Sequence, residues 1–90
     1  MILIDNAEVP AHGRLWCHLA SDASFDELHS FVKPFNIPER GFDGDHYDVP
    51  VERRGDFVDA GALLVSSREL VARLSAAGLR RRRSRSAKRR

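Results

Sequence analysis

Leu15-Trp16-Cys17-His18-Leu19-Ala20, followed at once by Ser21-Asp22-Ala23-Ser24-Phe25-Asp26-Glu27, is the stretch that sets the fold class. A period of two places Leu15, Cys17 and Leu19 on one face of the first six residues and Trp16, His18 and Ala20 on the other, which predicts a strand. Ser24 with Glu27 three residues later is a capping box, in which hydroxyl and carboxylate meet the free amides of a helix start. Phe25, Leu28, Phe31, Val32 and Phe35 then fall on one helical stripe. Pro34 limits that helix by removing a donor, Asn36 suits a left-handed cap, and Pro38 follows. A strand running into a helix within so few residues points to a mixed α/β domain.

Working outward, Ile2-Leu3-Ile4 reads as a short buried strand ended by Asp5-Asn6, and Pro10 with Gly13 marks a loop. Residues 39–45 are charged and Gly-containing, a surface loop. His46-Tyr47-Asp48-Val49 is a brief strand, and Asp48 before Val49-Pro50 is expected to cap a helix that buries Phe57 and Val58 and stops at Gly61. Ala62-Leu63-Leu64-Val65 runs into Ser66-Ser67-Arg68-Glu69, a second capping box, after which Leu70, Val71 and Leu74 keep helical spacing to Gly78. The expected order is β-β-α-β-α-β-α, with helices crossing between parallel strands in the second half. The prediction is one small α/β domain over residues 1–79, with three or four short, partly parallel strands and about three helices, followed by a disordered basic tail, 80–90.

Charge separates these two parts. The chain has 90 residues, 15 of them Lys or Arg and 13 Asp or Glu. Arg80, Arg81, Arg82, Arg83, Arg85, Lys88, Arg89 and Arg90 lie in the tail, so seven basic residues face all 13 acids in the body, which carries −6. A globular nucleic-acid binder presents a basic face. Non-specific nucleic-acid binding is therefore assigned to the tail. The length excludes two-domain enzymes and barrels. A single cysteine, Cys17, excludes an intramolecular disulfide and a Cys-rich zinc site, and its face predicts an inert core residue. An acid at position 5 interrupts any signal-peptide core, and no apolar run approaches a membrane span. A cytoplasmic protein with no membrane partner is expected.

The opening Ile-Leu-Ile-Asp, His12-Gly13-Arg14-Leu15-Trp16-Cys17-His18-Leu19, Asp22, Glu27-Leu28-His29, His46-Tyr47-Asp48, and Gly61-Ala62 leading to Ser67-Arg68-Glu69-Leu70 together resemble the short bacterial and phage proteins grouped as domain of unknown function 4031. The resemblance covers most of residues 1–79. It implies one self-contained domain and carries no activity, cofactor or catalytic residue; Pro34 and the arginine tail depart from the pattern.

Candidate chemistry rests on the polar residues at strand ends. If the strands are parallel, Asp5, Asp22, Asp48 and the Ser66-Ser67 helix start converge at one sheet edge with His18 and His46 nearby. If the first two strands are antiparallel, Asp5 and Asp22 lie at opposite ends. His46 and Asp48 are two apart in a strand and share a face, so with Asp5 they are candidate ligands of a divalent metal. His18, Asp22, His46 and Asp48 are the candidates for acid–base catalysis. The blander readings are a helix cap for Asp48, a surface or supporting donor for His46, a satisfied core histidine for His18, a turn for Asp22 and packing for His29. Ser66, Ser67 and Arg68 at a helix start, with Arg40 in the loop, are candidates for a small anionic ligand, against simple capping. Three functions compete: a small-ligand or nucleotide-processing domain, metal-assisted; a protein-binding adaptor; and a nucleic-acid- or ribosome-associated accessory protein held by its tail.

Overall fold

A computed structural model describes residues 1–80; the tail residues Arg81 to Arg90, and with them the expected disorder, lie outside the described residues. The elements are β1 (Ile2–Asp5), β2 (Val9–Ala11), β3 (Arg14–Ser21), α1 (Phe25–Val32), β4 (Tyr47–Pro50), α2 (Arg54–Asp59), β5 (Leu63–Val65) and α3 (Ser67–Ala76). The mixed α/β class with three helices is as the sequence implies, with five strands. The additional strand is β2, read from sequence as loop. His12 and Gly13 both have positive φ (51° and 78°), the two-residue turn that matches strand twist and joins β2 to β3 as a hairpin.

β3 is the spine of the sheet. On one side it pairs antiparallel with β1, through Ile2 with Ser21 and Ile4 with Leu19, and with β2, through Val9 with Trp16. On its other side it pairs antiparallel with β4, bringing Trp16 opposite Pro50, His18 opposite Asp48 and Leu19 opposite Tyr47. Only β1 with β5 is parallel. The expectation of helices crossing between parallel strands is corrected in part: the connection from β3 through α1 returns in the opposite direction as β4, whereas β4 and β5 run in the same direction with α2 crossing between them.

The pleat sorts the side chains into two layers. Ile2, Ile4, Cys17, Leu19, Tyr47 and Val49 face α1 and α2, where Leu28, Val32 and Phe57 complete the main core. Leu3, Ala20 and Val65 face the other way, under Leu70 and Leu74 of α3. Fully burying one such leucine contributes roughly 1.5–3 kcal/mol. Val58, expected in the buried stripe, is exposed, as the short α2 turns only Phe57 inward. With ten residues, α3 covers the β1–β5 side of its face. Asp5, which by parity lies on that face, meets the first residue of α3 through the Ser67 hydroxyl, whereas His18 and Asp48 lie outside the cluster under α3.

Both capping boxes form by half. Ser24 accepts from the Glu27 amide at 3.0 Å and Ser66 from the Glu69 amide at 3.1 Å. The reciprocal bonds are replaced: Ser21 Oγ already accepts from the Ser24 amide and donates to Glu27, while Glu69 pairs with Arg73. Asp48 caps no helix. It lies within β4, and the turn after it starts from Pro50 without a side-chain cap. No helix among the described residues is long and apolar enough to cross a membrane.

Candidate metal centre

Asp5 ends β1 with its side chain 1% exposed. Four donors hold it: the His18 amide at 2.9 Å, the His18 ring Nδ1 at 2.7 Å, the Ser67 hydroxyl at 2.9 Å and the Ala7 amide at 3.3 Å. Burial pushes the Asp5 carboxyl up, but the hydrogen bonds from the His18 ring, the His18 amide and Ser67 outweigh it and hold the pKa down at about 2. An ionised carboxylate only accepts, so His18 Nδ1 carries a proton. The same bond raises the His18 imidazole above its ordinary value, against the opposing effect of burial.

His46 repeats the arrangement. Its Nδ1 lies 2.7 Å from Oδ1 of Asp45, a residue only 5% exposed. The turn Asp43–Asp45 folds back on itself, the Asp43 amide donating to the His46 carbonyl at 2.7 Å and Gly44 adopting a φ of 75°, which turns Asp45 inward behind the ring. Each imidazole thus has a buried carboxylate behind it and its Nε2 in front.

Both Nε2 atoms converge on one oxygen. Asp48 Oδ1 is 3.2 Å from His46 Nε2 and 3.7 Å from His18 Nε2, and the rings meet edge to face at 5.0 Å. The β3–β4 register places His18 opposite Asp48, and His46 follows the two-residue period to the same face. Ligand atoms of His18, His46 and Asp48 all lie within 4.8 Å of one another. Two ligands each about 2.0–2.2 Å from a shared ion lie about 3–4.4 Å apart, the range in which the 3.2 and 3.7 Å separations fall. With both imidazoles neutral and protonated at Nδ1, their Nε2 lone pairs would face those of the Asp48 carboxylate; protons or a cation between them remove that repulsion.

His18 and Asp48 also form part of the wall of an open groove of about 680 Å³. Trp16, Arg14, Arg40 and Arg53 line it, together with Ile37 and Pro38. Trp16 is fixed by donating from Nε1 to the Ala11 carbonyl at 2.8 Å, and Arg53 donates to the Phe35 carbonyl at 3.0 Å.

The sequence candidates separate on this geometry. His18, His46 and Asp48 meet. Asp5 stands behind His18 with both oxygens engaged rather than beside the converging atoms. Asp22 is at the other end of the sheet, 2.9 Å from the Met1 amine and 3.4 Å from Arg73, because β1 and β3 are antiparallel. Ser66 caps α3 and Arg68 is exposed, whereas Ser67 bonds Asp5 and Arg40 lines the groove, so these four do not form one anion site. His29 packs against Phe42 and meets the Tyr47 hydroxyl at 2.8 Å. Cys17 is fully buried, and burial pushes its thiol up to about 11. Sequence reasoning missed Asp45 as a buried partner; the adjacent Asp45-His46 in a Gly-containing turn was the available signal.

No curated protein and no solved structure matches the chain. A family model described as Protein of unknown function (DUF4031) matches residues 2–77. That match spans the whole sheet, all three helices and every residue of the His18–His46–Asp48 cluster, and the chain belongs to the DUF4031 family.

Proposed function

We propose that this domain is a mononuclear divalent-metal module that binds and activates a small anionic ligand. His18 Nε2, His46 Nε2 and Asp48 Oδ1 would hold the ion, leaving positions open towards the groove. The observation that carries the reading is the pair of carboxylates behind the pair of histidines. Metal-ligating histidines usually donate their second ring N–H to a carboxylate or carbonyl, which fixes the tautomer and makes the ligating nitrogen more basic. Asp5 and Asp45 stand in that position. Two imidazoles and one carboxylate suit zinc or a first-row metal with open positions, and such an ion polarises a bound ligand oxygen.

The test is titration of the chelator-stripped chain with Zn(II) or Co(II). Expected is one ion per chain, with NMR shifts at Nε2 of His18 and His46 and none at His12 or His29. Absence of saturable binding, or binding that survives both His18→Ala and His46→Ala, would overturn the reading.

Arg80 favours a second, accessory role. Its guanidinium lies 3.4 Å from Asp45 Oδ2, so the basic run it opens begins beside the ligand cluster. Lys and Arg in such a run attract phosphate backbones through counterion release, without reading sequence. RNA binding should be steeply salt-dependent in the full chain and lost from a chain ending at Leu79; sequence-selective binding by the shorter chain would refute it.

A further inference from the structure

Resting on a divalent ion held by His18, His46 and Asp48, we propose that the groove takes an organic phosphate monoester, with Arg40 as the anchor for its phosphate on the side away from the ion. The turn Glu39–Gly41 carries Arg40 and packs on the strand that holds Asp48. A Cβ on Gly41 would lie 3.7 Å from both the Asp48 carbonyl and the Tyr47 ring, so this turn is seated directly on β4. Arg40 then lines the same groove as His18 and Asp48.

Charge selects the ligand class. Arg14 is matched by Glu52 at 3.1 Å and Arg80 by Asp45 at 3.4 Å. Arg53 is turned to the Phe35 carbonyl and lies over the Phe35 and Phe57 rings. Arg40 pairs with no acid among the described residues. The groove wall itself carries Arg14, Arg40 and Arg53 against Asp48 and Glu52, an excess of one positive charge. A divalent ion adds two more, and a dianion offsets more of that excess than a monoanion does. A phosphate monoester, with its second pKa near 6, is such a dianion at neutral pH, and a guanidinium fork matches its oxygens in pairs. Val9, Ile37, Pro38 and Pro50 give the groove apolar walls that suit an organic substituent better than free phosphate.

The experiment uses the full chain at pH 7.5 and phenyl phosphate as probe, with phenyl sulfate as its monoanionic counterpart and inorganic phosphate as the ligand lacking a ring. Metal affinity is measured first, by chelator competition. The metal-loaded chain should bind phenyl phosphate at least tenfold more tightly than either comparison ligand. Arg40→Gln should lose at least tenfold of that affinity while its metal affinity stays within twofold of the parent. Because this variant keeps the basic tail, the loss separates the groove from general attraction by the tail. Equal binding of phenyl phosphate and phenyl sulfate, an unaffected Arg40→Gln variant, or equal binding by metal-free chain overturns the proposal. If the ion binds and phenyl phosphate does not, the phosphate assignment fails alone; if no ion binds, both readings fall.

Discussion

The β1–β3 pair has a polar cluster at each end, and the two are built on different plans. At one end Asp22 and Glu27 meet the Met1 ammonium at 2.9 and 3.0 Å, and Arg73 also reaches Asp22. Every acid there faces a cation, in partly exposed surroundings. At the other end the two most buried acids, Asp5 and Asp45, face imidazoles, whose far nitrogens point at a third carboxylate. A cluster of closed ion pairs leaves nothing for a ligand to do. A cluster of oriented nitrogens around a carboxylate leaves a place for a positive charge, and the proposed metal reading rests on that difference.

The comparison is broken most directly by removing ligands from one end and counter-ions from the other. His46→Ala is expected to weaken metal binding more than about 100-fold, beyond the about 10–100-fold typical of losing a group behind a ligand. Asp22→Ala should leave metal affinity unchanged. Chelator competition reads both, and an equal loss in the two variants would abolish the distinction.

Asp5→Asn comes next, since it affects both ligand orientation and stability. An amide cannot accept from all four donors, and an unmatched buried donor costs about 1–3 kcal/mol. Urea denaturation should show a loss of that size, accompanied by an about 10–100-fold loss of metal affinity. Full retention of both would remove Asp5 from its supporting role.

Acid should weaken both ends, because Asp22 and Glu27 are also held below their ordinary values, and Asp5→Asn isolates the share of Asp5. The folded-state pKa of Asp5 is depressed to about 2 from 3.8, so its contribution is complete above pH 4 and is lost as pH falls towards 2. The shift corresponds to about 2 kcal/mol. His18 runs the other way: its pKa is raised, so its share is complete below the unfolded value of 6.5 and fades as pH rises through the folded one. Metal-free chain denatured across pH 2–8 should show both slopes, and Asp5→Asn should flatten them.

The smallest effects concern stability alone. Asp22 sits in partly exposed pairs, for which about 0–1 kcal/mol is usual. Asp48 is 42% exposed and caps nothing, so Asp48→Ala should cost less than about 0.5 kcal/mol while greatly weakening metal binding. A thermal melt that dropped as far for Asp48→Ala as for Asp5→Asn would give Asp48 a structural role.

The strand at 15–20, both serine caps and the shared face of His46 and Asp48 were legible because each depends on local period or hydrogen bonding. The two largest misreadings both turn on proline. Pro10 marked a loop, and Pro50 made Asp48 a helix cap, yet both lie in strands. β2 and β4 each pair with no strand besides β3, and an outer strand tolerates the missing N–H. Which strand is outermost depends on tertiary partners, and period and propensity say nothing of it. Asp45 was hidden for a related reason: in sequence it is one acid in a charged loop, and only the fold of the 43–46 turn buries it behind His46.

The register of β3 with β4 also decides when the cluster exists. His18 meets Asp48 only after the chain has closed the whole excursion through α1 and the following turns, an ordering that carries loop-closure entropy and belongs late in folding. Before that register closes, an ion would find only the local pair His46 and Asp48, without His18. It would slow unfolding and leave the folding rate nearly unchanged, acting as a latch on the finished sheet rather than as its nucleus.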